Sequence, residues 1–404
     1  MNIFFLLFFF PFILLATVKP GIDVLIEEKL SLLKGKKIGI LTNQTGLTKK
    51  LVSTVEILEK NAKDYSITAL FCPEHGLFGA CYAGEYVKNG KYKGKIPIYS
   101  LHGEHRRPTK EMLKNIDTIV FDLQEIGVRA YTYTSTLFYL MEEAAKHKIK
   151  IIVLDRPNPI NGNLVDGPML DHEMRSFLGY VNVPYCHGMT VGELAHFFNE
   201  EYAIGCKLEV VKMKGWKRHM TYKDTGLFWT PTSPHIPESE TPIYCASTGI
   251  LGELGLVNIG VGYTQPFKII GAPWINADEF AQRLNEQKLP GVSFLPYYYR
   301  PFYGIYKNES CQGVQIIITD KNEYRPLAVQ YLLIGLLKSL YPVRVNKHLQ
   351  TLSASKKSLF NKANGNKEML KIMIEENYIA WKMIEYEKEK RKAFEEKRKK
   401  YLFY

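Results

Sequence analysis

The feature that most constrains the fold is an alternation of short apolar runs with helical patterns through residues 35–158. The runs are rich in β-branched residues, and segments between several of them carry apolar residues at helical spacing. The runs predicted as strands lie at residues 37–41, 67–71, 96–99, 118–121 and 150–154. This alternation is typical of a parallel sheet with helices on both faces. We therefore predict an α/β protein whose first part is a Rossmann-like parallel-sheet domain.

Polar residues follow each predicted strand at the point where it ends. In a parallel sheet these ends meet at one carboxyl-terminal edge, which is where open α/β sheets bind ligands. We expect one cleft there, and we predict that polar and aromatic side chains bind substrate in it. The candidates are Asn43, His75, Asp122, Gln124, Arg129, Tyr131, Tyr133, Asp155, Arg156, Asn158 and, beyond the last of these strands, His187.

The N-terminal segment, residues 1–20, is predicted to be a signal peptide because an apolar block at 3–15 is followed by small and polar residues. An uncleaved N-terminal anchor is the alternative, since no Lys or Arg precedes the block and residues 16–18 make a poor cleavage site. We expect an exported protein that is periplasmic, extracellular or envelope-associated. Any membrane attachment would then run through this segment alone.

The length of 404 residues predicts more than one further domain, since a domain typically has about 150 residues. Residues 21–215 are predicted to form the Rossmann-like catalytic domain. Residues 216–255, rich in Trp, Thr, Ser and Pro, are predicted to be a connecting loop region. Residues 256–404 are predicted to form a smaller C-terminal α/β domain with terminal helices. In that domain we expect strands at 259–270, 292–299 and 311–319, a helix from Asn276, and a buried core helix at 326–340.

Composition argues against several classes of partner and cofactor. The net charge is +12, but in residues 386–400 acids and bases alternate, which predicts a solvated helix rather than nucleic-acid binding. The chain has neither the glycine pattern of dinucleotide sites nor a P-loop, so we predict no nucleotide cofactor. The six cysteines include no C-x-x-C pair, so we predict no metal site. Cys72 and Cys81 are either bridged or buried free thiols.

Pro73-Glu74-His75-Gly76 follows a predicted strand and is surrounded by apolar residues. A carboxyl held against apolar walls stays protonated near neutral pH, so we predict that Glu74 is a general acid. The structural alternative is a turn that Glu74 caps and in which His75 bonds a backbone carbonyl. The Glu74-His75 pair is thus our first candidate for chemistry.

Glycoside hydrolysis needs a second carboxyl, and Glu125, Asp122 and Glu253 are its candidates. The fork of Arg129 suits a substrate carboxylate, and Tyr131 and Tyr133 offer flat faces to a sugar ring. Arg129 has an alternative role as the internal partner of Asp122 or Glu125. The sequence does not choose between these roles.

Long motifs run through the chain in a consistent order: LTNQTG (41–46), PEHGLFG (73–79), FDLQEIGVRAYTY (121–133), DRPNPINGNLVDGP (155–168), HGMTVGEL (187–194), WTPTSPHIP (229–237) and PFKIIGAPWI (266–275). Over residues 21–404 the chain resembles the exo-β-N-acetylmuramidase family typified by NamZ, formerly a domain of unknown function. The resemblance implies an exported hydrolase that removes terminal N-acetylmuramic acid from non-reducing ends of peptidoglycan fragments. It also implies a cleft between a Rossmann-like and a smaller domain, with the catalytic glutamate at Glu74. We infer that Arg129 or Arg156 binds the lactyl carboxylate of the sugar.

One segment departs from the family pattern. In residues 253–263 the first glutamate persists as Glu253, but Ile259 and Val261 stand where the family has an acid and an arginine. The loss of these charges either alters the ligand or replaces an internal ion pair by apolar packing. It also motivates an alternative function, a non-catalytic glycan-binding or envelope scaffold protein with the same cleft.

Overall fold

A computed structural model describes residues 17–404. The apolar block at 3–15, on which the predictions of a signal peptide or anchor depend, lies outside the described residues. The strands are β1 (Lys37–Thr42), β2 (Ser66–Cys72), β3 (Gly90–Tyr92), β4 (Ile96–Ser100), β5 (Thr118–Asp122), β6 (Lys150–Leu154), β7 (Leu208–Val211), β8 (Ile269–Ala272), β9 (Val292–Tyr299) and β10 (Cys311–Ile318). The α-helices are α1 (Gly21–Val24), α2 (Thr54–Lys60), α3 (Thr132–Lys146), α4 (Val191–Glu201), α5 (Thr241–Gly252), α6 (Ala277–Glu286), α7 (Pro326–Leu340), α8 (Pro342–Gln350), α9 (Ala354–Asn364), α10 (Glu368–Glu375), α11 (Ala380–Glu385) and α12 (Lys388–Arg398).

The larger sheet has the strand order β3-β4-β2-β1-β5-β6-β7. All neighbouring strands pair in parallel except β3 and β4, which are antiparallel. From β1 the chain moves outward to β2 and β4, and it then returns to the other side of β1 at β5. The carboxyl ends of β1 and β5 therefore form the topological switch point of the sheet. This architecture confirms the predicted Rossmann-like α/β fold.

Helices cover both faces of this sheet, as its nearly continuous apolar strands require. Phe121 of β5 is buried in one cluster with Leu137 of α3 and Phe198 of α4. The preceding residue, Val120, points to the opposite face and is buried in a cluster with Leu58 of α2 and Ile22 of α1. Successive residues of a strand alternate between faces, so the two clusters sandwich the sheet.

The C-terminal part contains a three-stranded antiparallel sheet in the order β8-β10-β9. Its hydrophobic cluster also takes in Ile126, Val128 and Tyr185 from the N-terminal part of the chain. The two parts therefore share buried apolar surface, which favours one fixed arrangement of the elements on either side of their junction.

Two predicted segments differ from the structure. Helix α5 occupies 241–252, within the segment expected to be a connecting loop. The strand expected at 259–270 is confined to its last residues, because β8 begins at Ile269. Gly260 and Gly262 have φ of +79° and +91°, which a regular strand does not contain.

Helix α7 is a buried core helix, as predicted, with 12 of its 15 residues buried. Within residues 17–404 no single helix is long and apolar enough to cross a membrane, although α7 and α8 pass that test as a pair bent by 113°. The burial of α7 within the C-terminal core accounts for its apolar composition.

Helix α12 carries the alternating charges near the C-terminus and is solvated, as predicted. Its lysines pair with glutamates one turn away, for example Lys392 with Glu389 at 2.9 Å. Exposed pairs of this kind contribute little to stability. Arg398 is the exception, because it is buried and donates to the carbonyl oxygens of Gly162 and His187 at 3.0 and 3.2 Å. The end of the helix is thereby attached to the N-terminal domain.

Candidate active site

A cavity of about 250 Å³ lies at the junction of the two parts. One wall comes from the loops after β2 and β5, and the others come from the segment before α5, from α5 itself and from α9. Its polar lining residues are Glu74, His75, Tyr131, Thr132, Tyr185, Ser233, His235, Cys245 and Glu253. Apolar residues such as Ile126, Ile250 and Phe267 complete the lining. A partly apolar pocket with a few converging polar groups is typical of a small-molecule site.

Glu74 enters the cavity from a tight turn directly after β2. The Gly76 N–H donates to the Pro73 carbonyl oxygen at 3.0 Å, and Gly76 has φ of +80°. The Glu74 side chain is 13% exposed. Its Oε2 accepts a hydrogen bond from Thr132 Oγ1 at 2.7 Å, and its Oε1 accepts one from the Gly84 N–H at 2.8 Å. The carboxylate is therefore held in one orientation by donors on both oxygens.

The ionisation of Glu74 differs from the sequence-based expectation. Burial by itself raises the pKa of Glu74, but the hydrogen bonds from Thr132 and Gly84 outweigh burial, and His102, 3.7 Å away, adds to their effect. The pKa therefore lies below its ordinary value. The prediction that apolar walls keep Glu74 protonated is wrong, because both oxygens accept hydrogen bonds that favour the charged form.

His75 lies beside Glu74 in the cavity wall and has φ of +71°. Its Nδ1 donates to the carbonyl oxygen of Cys81 at 2.8 Å. This is the contact expected from the structural alternative, and it fixes the loop that carries Gly84. His75 thus shapes the support of Glu74 while its ring also lines the cavity.

Glu253 enters the same cavity directly after the end of α5. Burial raises the pKa of Glu253, and the nearby charge of Lys356 offsets only part of this effect. The two cavity carboxyls thus have pKa values shifted in opposite directions. Environments that separate two carboxyls in this way are typical of paired acid and base groups in hydrolases.

Tyr131 is the aromatic candidate that lines the cavity. Its hydroxyl is buried, and burial raises the pKa of Tyr131. Tyr133 and Asn43 stand behind it. The Tyr133 hydroxyl donates to the Thr232 carbonyl oxygen at 2.6 Å and accepts from Asn43 Nδ2 at 2.9 Å. Tyr133 and Asn43 therefore support the wall rather than line it.

Five of the polar lining residues were not among the sequence-based candidates, including Tyr185, which follows β6, and Cys245 of α5. Thr132 lies within a quoted motif but was not singled out, and Ser233 and His235 belong to the WTPTSPHIP motif in the predicted connecting loop. His235 also accepts from or donates to the Tyr303 hydroxyl at 2.8 Å. The density of polar residues in that motif was the available signal.

Arg129 does not face the cavity, contrary to the inference that it binds a substrate carboxylate. It is 3% exposed, and its guanidinium donates to the carbonyl oxygens of Pro168 and Val183 at 2.7 and 2.6 Å. It also donates to the carbonyl oxygen of Asn364, the last residue of α9. Burial lowers the pKa of Arg129 to about 10. These contacts make Arg129 a clamp between the two parts of the chain.

Asp122 and Arg156 form an internal ion pair instead of a substrate site. Arg156 donates through Nε to Asp122 Oδ1 at 2.5 Å and through Nη2 to Oδ2 at 2.9 Å. Thr54 donates to the same carboxylate, which is fully buried. The geometry is the bidentate fork typical of Arg–carboxylate pairs. Neither residue lines the cavity, so the inference that Arg156 binds the lactyl carboxylate is not supported by this geometry.

Asp155 is also engaged inside the protein. It accepts hydrogen bonds from Thr190 Oγ1 and the Gly192 N–H, both at 2.8 Å, and from the Tyr404 hydroxyl at 2.7 Å. Burial raises the pKa of Asp155 to about 7. Thr190 also forms the capping box that begins α4, and Asp155 extends it.

Asn158 and Gln124 bond neighbouring backbone. Asn158 Nδ2 donates to the Met189 carbonyl oxygen at 3.0 Å, and Gln124 Nε2 donates to that of Pro157 at 2.8 Å. Gln124 also lines a narrow crevice of about 20 Å³ at the switch point between β1 and β5. That volume is close to the room one water needs. The crevice is too small for a sugar, and the candidate site lies beside the switch point.

Glu125 and His187 form a buried pair away from the cavity. Glu125 Oε2 accepts from the Gly127 N–H and lies 3.8 Å from His187 Nε2. Burial raises the pKa of Glu125 to about 8, and burial lowers the pKa of His187 to about 3. The proton therefore stays on the carboxyl and the imidazole stays neutral. Glu125 is not brought to the second-carboxyl position that the sequence analysis allowed for it.

Cys72 and Cys81 are both free thiols in the structure. Cys72 is buried, and burial raises its pKa to about 12. In the described part of the chain, no group of three or more His, Cys, Asp or Glu side chains is arranged to hold a metal ion.

Two carboxyls with oppositely shifted pKa values in one cavity beside the carboxyl edge of an α/β sheet are suited to glycoside hydrolysis. The comparisons with known proteins agree. The exo-β-N-acetylmuramidase NamZ N-terminal family matches residues 38–240, and the NamZ C-terminal family matches residues 243–404. The chain belongs to the NamZ family and is a glycoside hydrolase.

Relatives of this family resemble the chain over almost its whole length. The peptidoglycan β-N-acetylmuramidase NamZ of Bacillus subtilis (strain 168) is 40% identical over 390 residues, covering 96% of this chain and 91% of the relative. A crystal structure of a DUF1343 family protein from Bacteroides fragilis has a TM-score of 0.90 at 40% identity, and it covers 96% of this chain and 99% of its own. A second such protein from that organism has a TM-score of 0.71 at 26% identity, with the same coverage.

The residues that depart from the family pattern do not line the cavity. Ile259 is 8% exposed, belongs to the C-terminal hydrophobic cluster and lies against Gly252 at the end of α5. Val261 is half-buried and packs against the same cluster. The structure therefore supports the reading in which apolar packing stands where the family has charges. Glu253, one residue beyond Gly252, keeps its place in the wall.

Proposed function

We propose that this chain is an exo-acting peptidoglycan hydrolase that releases terminal N-acetylmuramic acid, or a closely related amino sugar, from the non-reducing end of wall fragments. The observation that carries the proposal is the pair of carboxyls, Glu74 and Glu253, in one cavity of a NamZ-family chain. The substrate comes from the name of the Bacillus subtilis relative. The cavity volume of about 250 Å³ suits a single terminal sugar better than a long glycan.

We further propose how the two carboxyls divide the work. Glu74, whose ionised form is stabilised by Thr132 and the Gly84 N–H, acts as the anionic partner, either the base or the nucleophile. Glu253, whose pKa is raised by burial, donates the proton to the departing glycosidic oxygen. This division reverses the role of general acid that the sequence analysis gave to Glu74.

The test compares two substrates that differ in their leaving group, a natural muramyl disaccharide and an aryl muramide with a strongly activated phenol. Glu253→Gln should lower kcat on the disaccharide by about 10²–10⁴-fold and lower it much less on the activated substrate, whose leaving group needs no proton. Glu74→Gln should lower kcat on both. Glu309→Gln, an exposed glutamate of the C-terminal part, is the matched control.

Three outcomes would contradict parts of this proposal. The opposite leaving-group pattern would return the acid role to Glu74. Near-normal turnover by Glu74→Gln, with an unchanged circular dichroism spectrum, would remove Glu74 from the mechanism. Tight binding of muropeptides by the wild-type chain without any released sugar would instead favour a glycan-binding scaffold.

We also propose that the protein is exported through its N-terminal segment and acts on the cell envelope. The support is the apolar block at residues 3–15 together with a wall polymer as the proposed substrate. Fractionation of cells that express the full chain, followed by mass measurement of its N-terminus, tests both export and cleavage. Recovery of the protein only from the cytoplasm would contradict export.

A further inference from the structure

The cavity has no built-in cation for an acidic sugar. Among the described residues that line it there are two carboxyls, Glu74 and Glu253, but no lysine or arginine. The two arginines inferred from the sequence, Arg129 and Arg156, are committed to internal contacts. A substrate that carries its own carboxylate would meet like charge in this cavity unless a cation stands at its rim.

Lys356 stands at the rim on the first turn of α9. Leu359 and Ala363 line the cavity, and they follow Lys356 at positions i+3 and i+7 on the same face of the helix. The Lys356 Nζ lies against Gly255, so closely that a Cβ at Gly255 would be 2.3 Å from it. Gly255 is two residues beyond Glu253. The ammonium therefore lies at the end of the cavity that Glu253 forms.

The charge of Lys356 is available to a ligand. The residue is exposed, and within residues 17–404 no carboxylate lies within 4.0 Å of its ammonium. Arg106 is another cation, on the Glu74 side, where its guanidinium lies 4.4 Å from the centroid of the Phe177 ring that packs against His102. Neither Arg106 nor Phe177 lines the cavity, whereas the helix of Lys356 contributes two lining residues.

We propose that the Lys356 ammonium binds the carboxylate of the substrate, which in N-acetylmuramic acid is the lactyl carboxylate, at the Glu253 end of the cavity. The proposal rests on the proposed function and makes Lys356 a specificity residue for an acidic over a neutral amino sugar. The bound carboxylate accepts hydrogen bonds from the ammonium. The acid therefore binds more tightly than an otherwise identical neutral sugar.

The test uses an aryl N-acetylmuramide and its lactyl amide, which differ only in the charge of the lactyl group. Lys356→Gln should raise KM for the acid roughly tenfold, as expected for a lost charge-assisted hydrogen bond, and leave KM for the amide and both kcat values nearly unchanged. Lys356→Arg should keep the preference for the acid. Lys357→Gln removes the same charge about 100° further round the helix and should change neither KM.

The outcomes separate this proposal from the proposed function. Equal losses on acid and amide in Lys356→Gln would show that Lys356 acts through Glu253 and would overturn the proposal. A selective loss in Arg106→Gln but not in Lys356→Gln would move the site to the other end of the cavity and overturn it as well. A wild-type chain that hydrolyses neither substrate would overturn the proposed function and, with it, this proposal. A wild-type chain that hydrolyses both with equal KM would overturn the lysine site alone.

Discussion

The loops after β2 and after β5 leave the same edge of the sheet, yet their acidic residues have opposite surroundings. Glu74, after β2, opens into the cavity and is 13% exposed, whereas Asp122, at the end of β5, is fully buried against Arg156. Both side chains accept well-formed hydrogen bonds. The two residues differ in their access to the cavity, because the Asp122 carboxylate is paired with Arg156 inside the protein. A position at the sheet edge therefore makes a residue a candidate, and an open cavity makes it usable.

The largest expected effect is a loss of stability when Arg129, the clamp between the two parts of the chain, is replaced. Arg129→Met should lower the free energy of unfolding by about 3–5 kcal/mol, because it leaves the carbonyl oxygens of Pro168, Val183 and Asn364 without their donor. Chemical denaturation measures this loss. The fraction that remains folded should bind substrate with an ordinary KM, and a selective rise in KM for acidic sugars with normal stability would instead make Arg129 a binding residue.

A smaller effect is expected for Glu125, a buried carboxyl that does not line the cavity and whose ionisation should change stability with pH. The pKa of Glu125 is raised to about 8 in the folded state, above its ordinary value of 4.5 in the unfolded chain. The folded state thus binds more protons between pH 4.5 and 8, and this group's contribution to stability falls as pH rises through that window, by at most about 1.4 kcal/mol per pH unit. Glu125→Gln should flatten the decline, as measured by Tm against pH. An unchanged slope would contradict a buried, protonated Glu125.

The next effect is a shift in the pH dependence of activity, which tests the ionisation of Glu74. Thr132→Val removes a hydrogen bond that lowers the pKa of Glu74, so that pKa should rise and the acid limb of kcat/KM should move to higher pH. The loss of one hydrogen bond to a charged group costs about 1.5 kcal/mol, or roughly a tenfold loss of activity on the acid side. Thr134→Val, two residues further along the same helix, is the control. A shift of the basic limb to higher pH, with the acid limb unmoved, would instead show that activity requires protonated Glu74.

The smallest effect concerns the departure from the family pattern. Ile259→Val should cost about 0.5–1.5 kcal/mol of stability, as is usual for a buried methyl group, and leave KM unchanged because Ile259 does not line the cavity. Thermal unfolding and steady-state kinetics check the two halves of this expectation. A change in KM without a change in stability would place Ile259 in the binding site.

The sequence predicted the parallel sheet well, because its strands are buried on both faces and are apolar throughout. The predicted strand at 150–154 coincides with β6, and the one at 37–41 falls one residue short of β1. The helix α5 was missed because its apolar and small residues follow neither a helical nor a strand period. Its place between two proline-rich motifs also favoured a loop.

The candidate site was harder to predict than the fold, for a physical reason. Glu74, Tyr131 and Glu253 line the cavity, whereas Arg129 contacts backbone carbonyls up to 235 residues away. A carbonyl oxygen is present at every residue and leaves no trace in the sequence. The sequence therefore does not distinguish a charged side chain that is buried against backbone from one that is exposed to a ligand.

The Arg129 clamp has a consequence for how such a chain tolerates mutation. Its acceptors belong to the main chain, so the contact itself does not depend on the side-chain type at Pro168, Val183 or Asn364. The donor, Arg129, cannot be replaced by lysine in the same way, since lysine lacks the forked geometry that reaches several acceptors at once. A single substitution at Arg129 therefore removes several hydrogen bonds at the junction of the two parts at once, although Arg129 itself does not line the cavity.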